Sequence, residues 1–263
     1  MEAIFQKLYA QEPVRIAFFG DSVTQGCFEG DPMPEDVPYV YSSRFCRMLQ
    51  NQYPGAEIEL INAGVGGDSS GMGLFRIQKD VIEKNPDLCI VCFGINDSTC
   101  CAMNRVLIHS KMAKDVLAQV KDKMDPAAFA LMAQSKVKEA YRYSMDAILS
   151  ILEDHQIPAI VLTPNRMSLW PITKPSDPLF ILSIINTIIT KNGTMDSMIA
   201  IAREVAAEHC VPIADGYKHW KELESKGRIT RSSYVNGTNH PSRELHQELA
   251  DVLYQTFENL KEI

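Results

Sequence analysis

Short apolar runs alternate along this chain with longer stretches of helical period. The runs Val14-Arg15-Ile16-Ala17-Phe18-Phe19, Glu57-Ile58-Glu59-Leu60-Ile61, Leu88-Cys89-Ile90-Val91-Cys92-Phe93 and Ala159-Ile160-Val161-Leu162-Thr163 have strand length, and small or turn-forming residues follow each of them. They predict strands over about 14–19, 57–62, 88–93 and 159–163, with a short fifth at Val211-Pro212-Ile213-Ala214. Helical spacing predicts a helix near 38–52, with Tyr41, Phe45, Met48 and Leu49 on one face, and another near 70–84. A long helix carries Val137, Tyr141, Met145, Ile148 and Leu152 and is ended by His155-Gln156-Ile157-Pro158. The last helix bears the stripe Leu245, Leu249, Val252, Leu253, Thr256, Phe257 and Leu260. Both stripes read as core faces. Strands alternating with helices predict a mostly parallel sheet covered on both faces.

Two stretches exceed that plan. Residues 99–133 include a charged, helix-like segment from Lys111 to Lys123, then Asp125-Pro126, a helix start. Residues 165–194 carry Trp170, Pro171, Pro175, Pro178 and an apolar run from Leu179 to Ile189. Insertions at the carboxyl ends of strands shape pockets, and they also serve as plain packing or as a contact between copies, so a homo-oligomer stays open. At 263 residues, the chain is expected to fold as a single domain spanning 1–263.

Composition narrows the function. The hydrophobic share of 46% and charged share of 22% are those of a globular protein. A net charge of −7, with no basic run interleaved with aromatics, argues against nucleic acid and anionic membranes as partners. The apolar run at 179–189 is broken by Ser183, Asn186 and Thr187 and is too short to span a bilayer. No signal-peptide pattern opens the chain, and the 7 cysteines lack framework spacing, so a cytoplasmic location is expected. Without a secretory signal the acceptor patterns at Asn192 and Asn236 are discounted. Cys89 and Cys92, three apart on a strand, should face opposite sides, which argues against a metal site.

The candidate chemistry lies in the loops. Gly20-Asp21-Ser22-Val23-Thr24-Gln25-Gly26 follows the first strand, Asn62-Ala63-Gly64-Val65-Gly66-Gly67-Asp68-Ser69 the second, and Gly94-Ile95-Asn96-Asp97 the third. Asn236-Gly237-Thr238-Asn239-His240-Pro241 precedes the last helix. Taken alone, Gly-Asp-Ser fits a helix N-cap after a strand. Together, and in this order, the four blocks resemble the SGNH hydrolases, also called GDSL esterases/lipases, from Phe18 to about Ala250.

The resemblance implies a three-layer α/β/α fold with a flavodoxin-like central parallel sheet of about five strands. It implies a serine ester hydrolase that acts on a small-molecule ester and uses neither cofactor nor metal. Ser22 would be the nucleophile and His240 the base. The backbone N–H groups of Ser22 and Gly67 and the side-chain amide of Asn96 would hold the oxyanion, with Gly66 a rival to Gly67. Asn96 read by itself is also a turn-former. Asp21, Asp68 and Asp97 flank the site as loop-fixing acceptors. Asp21, Gly66, Asp97 and Arg166 are expected at the substrate, and for Arg166 a salt bridge is the competing reading.

The chain departs from the family in one place. Where an aspartate usually stands three or four residues before the histidine, it has Gly237 and Asn236. Asn236 can orient the imidazole but supplies no charge. A Ser-His dyad helped by Asn236, by a backbone carbonyl or by a distant carboxylate such as Asp215 is therefore expected. Short acyl esters, such as acetylated carbohydrate, are the expected substrates. A non-catalytic small-molecule or carbohydrate binding protein on the same fold is the alternative. A flavin or nucleotide binder ranks lower, because neither a dinucleotide fingerprint nor a Walker loop is present.

Overall fold

The apolar runs become the strands of one sheet. The computed structural model describes residues 1–99 and 126–262. Its strands are β1 (Val14–Gly20), β2 (Ile58–Gly64), β3 (Leu88–Cys92), β4 (Ala159–Leu162) and β5 (Ile213–Ala214). All neighbours are parallel, in the order β2-β1-β3-β4-β5. This is the doubly wound, flavodoxin-like order, in which ligands gather beyond the carboxyl ends of the strands. Pro212 lends only its carbonyl, to the Val161 N–H, and β5 is correspondingly short.

Alternation along the strands divides the apolar side chains between two cores. Ile16, Phe18, Leu88, Ile90 and Cys92 pack on one face with Tyr41, Phe45, Leu249 and Phe257. Ala17, Phe19, Cys89 and Val91 pack on the other with Ile77, Tyr141, Ile148 and Val205. Cys89 and Cys92 thus lie in different layers, as period two requires. The first layer draws on helices Glu2–Tyr9, Tyr41–Gln52 and Arg243–Asn259, and the second on Ser70–Asp80, Pro126–Asp154 and Thr194–Glu208. A sheet buried on both faces explains why the strands read as apolar runs and not as alternating ones.

Two helix boundaries differ from expectation. The helix expected from 38 begins at Tyr41, because Pro38 lies in a 3-10 turn over Pro34–Tyr39 and cannot donate to a continuing ladder. The helix expected to reach 84 stops at Asp80, and a 3-10 turn over Ile82–Lys84 ends at Asn85 in the left-handed region. Pro126 heads the long helix, while the charged segment 111–123 lies outside the described residues. The apolar run from Leu179 forms the helix Phe180–Lys191. Among the described residues no helix is long and apolar enough to cross a membrane.

Register puts the loops together. Gly20 at the end of β1 lies beside both Gly64 of β2 and Cys92 of β3. The segments that follow these three positions therefore leave the sheet side by side. A side chain at Gly64 has no room, since its Cβ would stand 2.2 Å from the Gln25 backbone nitrogen. The second loop passes this close to the Ser22–Gln25 turn only because residue 64 is glycine.

Candidate active site

Asp21 caps the short helix Ser22–Gln25, its carboxylate accepting from the Val23 N–H at 3.0 Å. Gly26 ends that helix in the left-handed region at φ 96°. This tight turn leaves Ser22 at the carboxyl edge of the sheet. The Ser22 Oγ lies 2.9 Å from the His240 Nε2. On the far side of the ring, Nδ1 is 2.8 Å from the main-chain carbonyl oxygen of Phe28. An Nδ1–H donated to Phe28 leaves Nε2 as the acceptor for the serine proton, the tautomer a general base requires. Burial lowers the His240 pKa from its ordinary value, and the bond to Phe28 partly opposes that. The ring is therefore neutral near pH 7.

Across from the histidine stands a group of amide donors. The Asn96 Nδ2 donates to the Asp68 carbonyl at 2.8 Å, which fixes the amide plane and leaves its second hydrogen free among the described residues. Gly66 and Gly67 separate clearly. The Gly66 N–H is given to the Gln25 Oε1 at 2.7 Å. The Gly67 N–H has no hydrogen bond among the described residues, and Gly67 adopts φ 80°. Together with the N–H of Ser22, these are the donors an anionic oxygen on a carbon bound to the Ser22 Oγ could use.

The flanking aspartates hold loops. Asp97 accepts from the Ser70 N–H at 3.0 Å and from the Ser70 hydroxyl at 2.5 Å. Burial raises its pKa to about 6. Burial likewise raises Asp21 to about 7, opposed by the Val23 N–H and reinforced by the charges of Asp97 and Asp68. The four residues expected at the substrate are each engaged by protein groups. Asp21, Gly66 and Asp97 use their polar groups as just described. Arg166 pairs with Glu224 at 2.5 Å, with both side chains largely buried, so the salt-bridge reading is the observed one.

Asn236 corrects a second expectation. Its Oδ1 accepts from the N–H groups of Thr238 at 3.1 Å, Asn239 at 3.0 Å and His240 at 2.9 Å. It organises the loop and does not touch the imidazole. Gly237, at the usual position of the acid, has φ 75°, and a Cβ there would stand 3.2 Å from Ile172. That position is closed to a relaxed aspartate. Asp215 is no substitute either, being occupied by Thr163, Arg203 and the Lys218 N–H. Of the helpers open to His240, the backbone carbonyl of Phe28 is the one found at the ring among the described residues.

Two arginines that sequence reasoning did not single out brace the site. Arg76 donates to Asp68 at 2.6 Å, to the Ala63 carbonyl at 2.7 Å and to the Gly20 carbonyl at 2.9 Å, and its guanidinium lies over Phe19. It ties the ends of β1 and β2 to the loop that carries Gly67. Arg243 bonds Asp36 at 2.7 Å and both carboxylate oxygens of Glu29, at 3.0 and 3.1 Å, and lies 4.6 Å from the Phe28 ring centroid. It fixes the residue whose carbonyl holds His240. The segment 165–194 supports the histidine loop from the other side. The Ser168 N–H bonds the Thr238 carbonyl at 2.7 Å, Asn165 bonds the Asn239 carbonyl at 3.0 Å, and Asn186 bonds the Thr238 hydroxyl at 2.7 Å.

Beside that loop lies an open cleft of about 820 Å³, with Glu29, Asp177, Arg231, Tyr234, Asn236 and Gly237 in its wall. Among the described residues no group of three or more His, Cys, Asp or Glu is arranged to hold a metal ion.

A serine hydroxyl bonded to a histidine and a set of amide donors thus stand together at the carboxyl edge of this α/β/α sheet. The chain belongs to the GDSL-like lipase/acylhydrolase family, whose model matches residues 18–248. No curated protein matches it in sequence. Similar solved structures include an α/β hydrolase from the metagenome of Lake Arreo, Spain, at 18% identity and TM-score 0.63, covering 94% of this chain and 96% of that one. Another is an acetylxylan esterase from Geobacillus stearothermophilus, at 17% identity and TM-score 0.62, covering 92% and 93%. A lipase/acylhydrolase from Enterococcus faecalis follows at 20% identity and TM-score 0.59, covering 94% and 96%. At these identities the likeness is one of fold.

Proposed function

We propose that this carboxylic ester hydrolase works through Ser22 as nucleophile and His240 as general base, on short acyl esters of polar alcohols, acetylated carbohydrate among them. The observation that carries the reading is the 2.9 Å contact between Ser22 Oγ and His240 Nε2, with Nδ1 held by the Phe28 carbonyl. Ser22 Oγ attacks the acyl carbon while its proton passes to Nε2. The carbonyl oxygen, now an anion, takes hydrogen bonds from Ser22 N–H, Gly67 N–H and the Asn96 amide. Collapse breaks the ester C–O bond, and Nε2 returns the proton to the departing alkoxide. Water then attacks the acyl-enzyme by the same route and frees the acid.

The alcohol leaves on the histidine side, so it occupies the cleft beside Asn236 and Gly237. Glu29, Asp177 and Arg231 make that wall suited to hydroxyl groups. Acetyl-carbohydrate esterases among the structural neighbours favour the same class of alcohol. A second reading, a binding protein that has lost catalysis, draws on His240 Nδ1 meeting a main-chain carbonyl, with no carboxylate beside it among the described residues.

Acetate release from acetylated xylo-oligosaccharides and from p-nitrophenyl acetate tests the choice. Release by the wild-type chain that is lost in Ser22→Ala supports the hydrolase. No release from any ester by folded protein favours the binding protein, and release that persists in Ser22→Ala removes Ser22 from its role.

A further inference from the structure

A buried layer of polar side chains lies behind the histidine loop. Arg166, just after β4, bonds Glu224 of the helix Gly216–Ser225 at 2.5 Å and the Thr190 carbonyl near the end of helix Phe180–Lys191 at 3.4 Å. Only 14% of the Arg166 side chain and 12% of the Glu224 side chain are exposed. Asn165 donates to the carbonyls of Arg166 at 3.1 Å and Asn239 at 3.0 Å. Asn186 donates to the Thr238 hydroxyl at 2.7 Å, and its own main-chain carbonyl accepts from the Thr190 hydroxyl at 2.7 Å. Tyr217 belongs to the same layer: burial and the Asp196 charge push its pKa up, and the Arg166 guanidinium opposes them.

The layer is costly to the fold. Among the described residues seven buried side-chain polar atoms have no protein hydrogen-bond partner, and five of them are here: Asn165 Oδ1, Arg166 Nε, Asn186 Oδ1, Tyr217 Oη and Glu224 Oε1. Polar atoms buried in this way cost stability, and exchanging a buried ion pair for apolar residues of similar volume is often neutral or stabilising. Apolar packing is close at hand. Trp220 and Leu223, on the helix that carries Glu224, already form an apolar cluster with Ile229, Tyr234 and Leu245. Local rules of this kind are broken at functional sites and compensated elsewhere. An apolar side chain fills space, but it cannot hold a carbonyl or a hydroxyl in one orientation.

What the layer holds is the loop that carries His240. Asn165 bonds the Asn239 carbonyl, Asn186 bonds the Thr238 hydroxyl, and the Ser168 N–H bonds the Thr238 carbonyl at 2.7 Å. All three bonds depend on residues 165–186 keeping one position, and Arg166 pins that stretch to two helices. His240 follows Asn239 directly, so a shift of the loop changes the 2.9 Å separation between Ser22 Oγ and His240 Nε2.

We infer that Arg166 and Glu224 are a positioning pair for the general base: through Asn165 and Asn186 they set where His240 stands relative to Ser22. The inference rests on the proposed Ser-His reaction and extends its machinery to a buried ion pair that acts through other residues and not on the substrate.

The test replaces the pair with apolar residues, Arg166→Met together with Glu224→Leu, and follows Tm, kcat and KM on p-nitrophenyl acetate. Tm should hold or rise. At the same time kcat should fall by about 10- to 10²-fold with KM little changed, the cost of misplacing a base by up to an ångström. Arg166→Lys, which keeps a charge beside Glu224, should retain more of kcat than the double variant. Thr238→Val removes only the hydroxyl that Asn186 holds. Alone it should lower kcat by about tenfold or less. Added to the double variant it should cost little more, since both changes act on one route. A purely structural pair gives the opposite split, a lower Tm with the kcat of the folded protein unchanged, and that result overturns the inference. Losses that multiply when Thr238→Val is added overturn it as well. If the double variant does not fold, Arg166→Lys and Thr238→Val decide: lower kcat at unchanged KM in both supports the pair's role, and a wild-type kcat in either overturns it. No hydrolysis by the wild-type chain instead overturns the esterase reading on which that role rests.

Discussion

The two sides of the candidate site are built in opposite ways. On the oxyanion side, the donors come from loops after β1, β2 and β3, and residues near in sequence or at adjacent strand ends hold them. Asp21 caps its own turn, Asp68 meets Arg76 eight residues on, and Asp97 meets Ser70 beside it in space. On the histidine side, apart from Asn236 within the loop itself, the supports are distant. Phe28 holds the ring from 212 residues away, and Arg243 holds Phe28 from the last helix. Asn165, Ser168 and Asn186 fix the loop from a separate segment. Donors that stabilise charge can be delivered by a local motif, whereas the orientation of the base depends on the completed fold.

The comparison breaks first at its centre. Ser22→Ala and His240→Ala should each lower kcat by about 10⁴-fold or more, and the double variant should be little worse, because the proposed mechanism makes the two residues one proton-transfer unit. Losses that multiply would separate them. Next comes Asn96→Ala, expected to lower kcat about 10²–10³-fold with little change in KM, the signature of a donor used in the transition state. A change confined to KM would make Asn96 a binding residue.

On the histidine side the effects should be smaller. Glu29→Gln leaves Arg243 with one carboxylate partner fewer and loosens the grip on Phe28. It should lower kcat about tenfold, a modest misplacement cost, and Glu29→Asp should restore part of it. Asn236→Asp should not raise turnover. Its oxygen already serves three backbone N–H groups, and the imidazole Nδ1 is occupied by Phe28. A gain in that variant would show that the carbonyl is a weaker partner than a reachable acid. The smallest effect is on pH. With His240 lowered from 6.5 by burial, the acid limb of kcat/KM should have its midpoint below 6.5, because the active, neutral ring persists as pH falls until its folded pKa is reached. A midpoint at or above 6.5 would contradict this.

The same contrast explains what could be read from the chain. The strands were legible because burial on both faces leaves continuous apolar runs, and the oxyanion side because its residues sit in short motifs directly after those runs. The sheet order came with the resemblance, since alternation alone sets only parallel pairing. Phe28 was not legible. Its contribution is a main-chain oxygen, which any residue possesses, and its position follows from Arg243 and Glu29 packing around it. Arg76 was missed for a similar reason, since two of its partners are the carbonyls of Gly20 and Ala63. Arg166 follows a strand at the active edge, which made a substrate contact plausible, but Glu224, 58 residues on, claims it.

The central claim is that Ser22 is activated by a histidine held by a carbonyl and not by a carboxylate. The rate of fluorophosphonate labelling against pH, with the adduct mapped by peptide mass, tests it most directly. The account predicts a single adduct on Ser22, forming at a rate that rises with pH through one group whose pKa lies below 6.5. No adduct, an adduct on another residue, or a rate that titrates at or above the ordinary histidine value would contradict it.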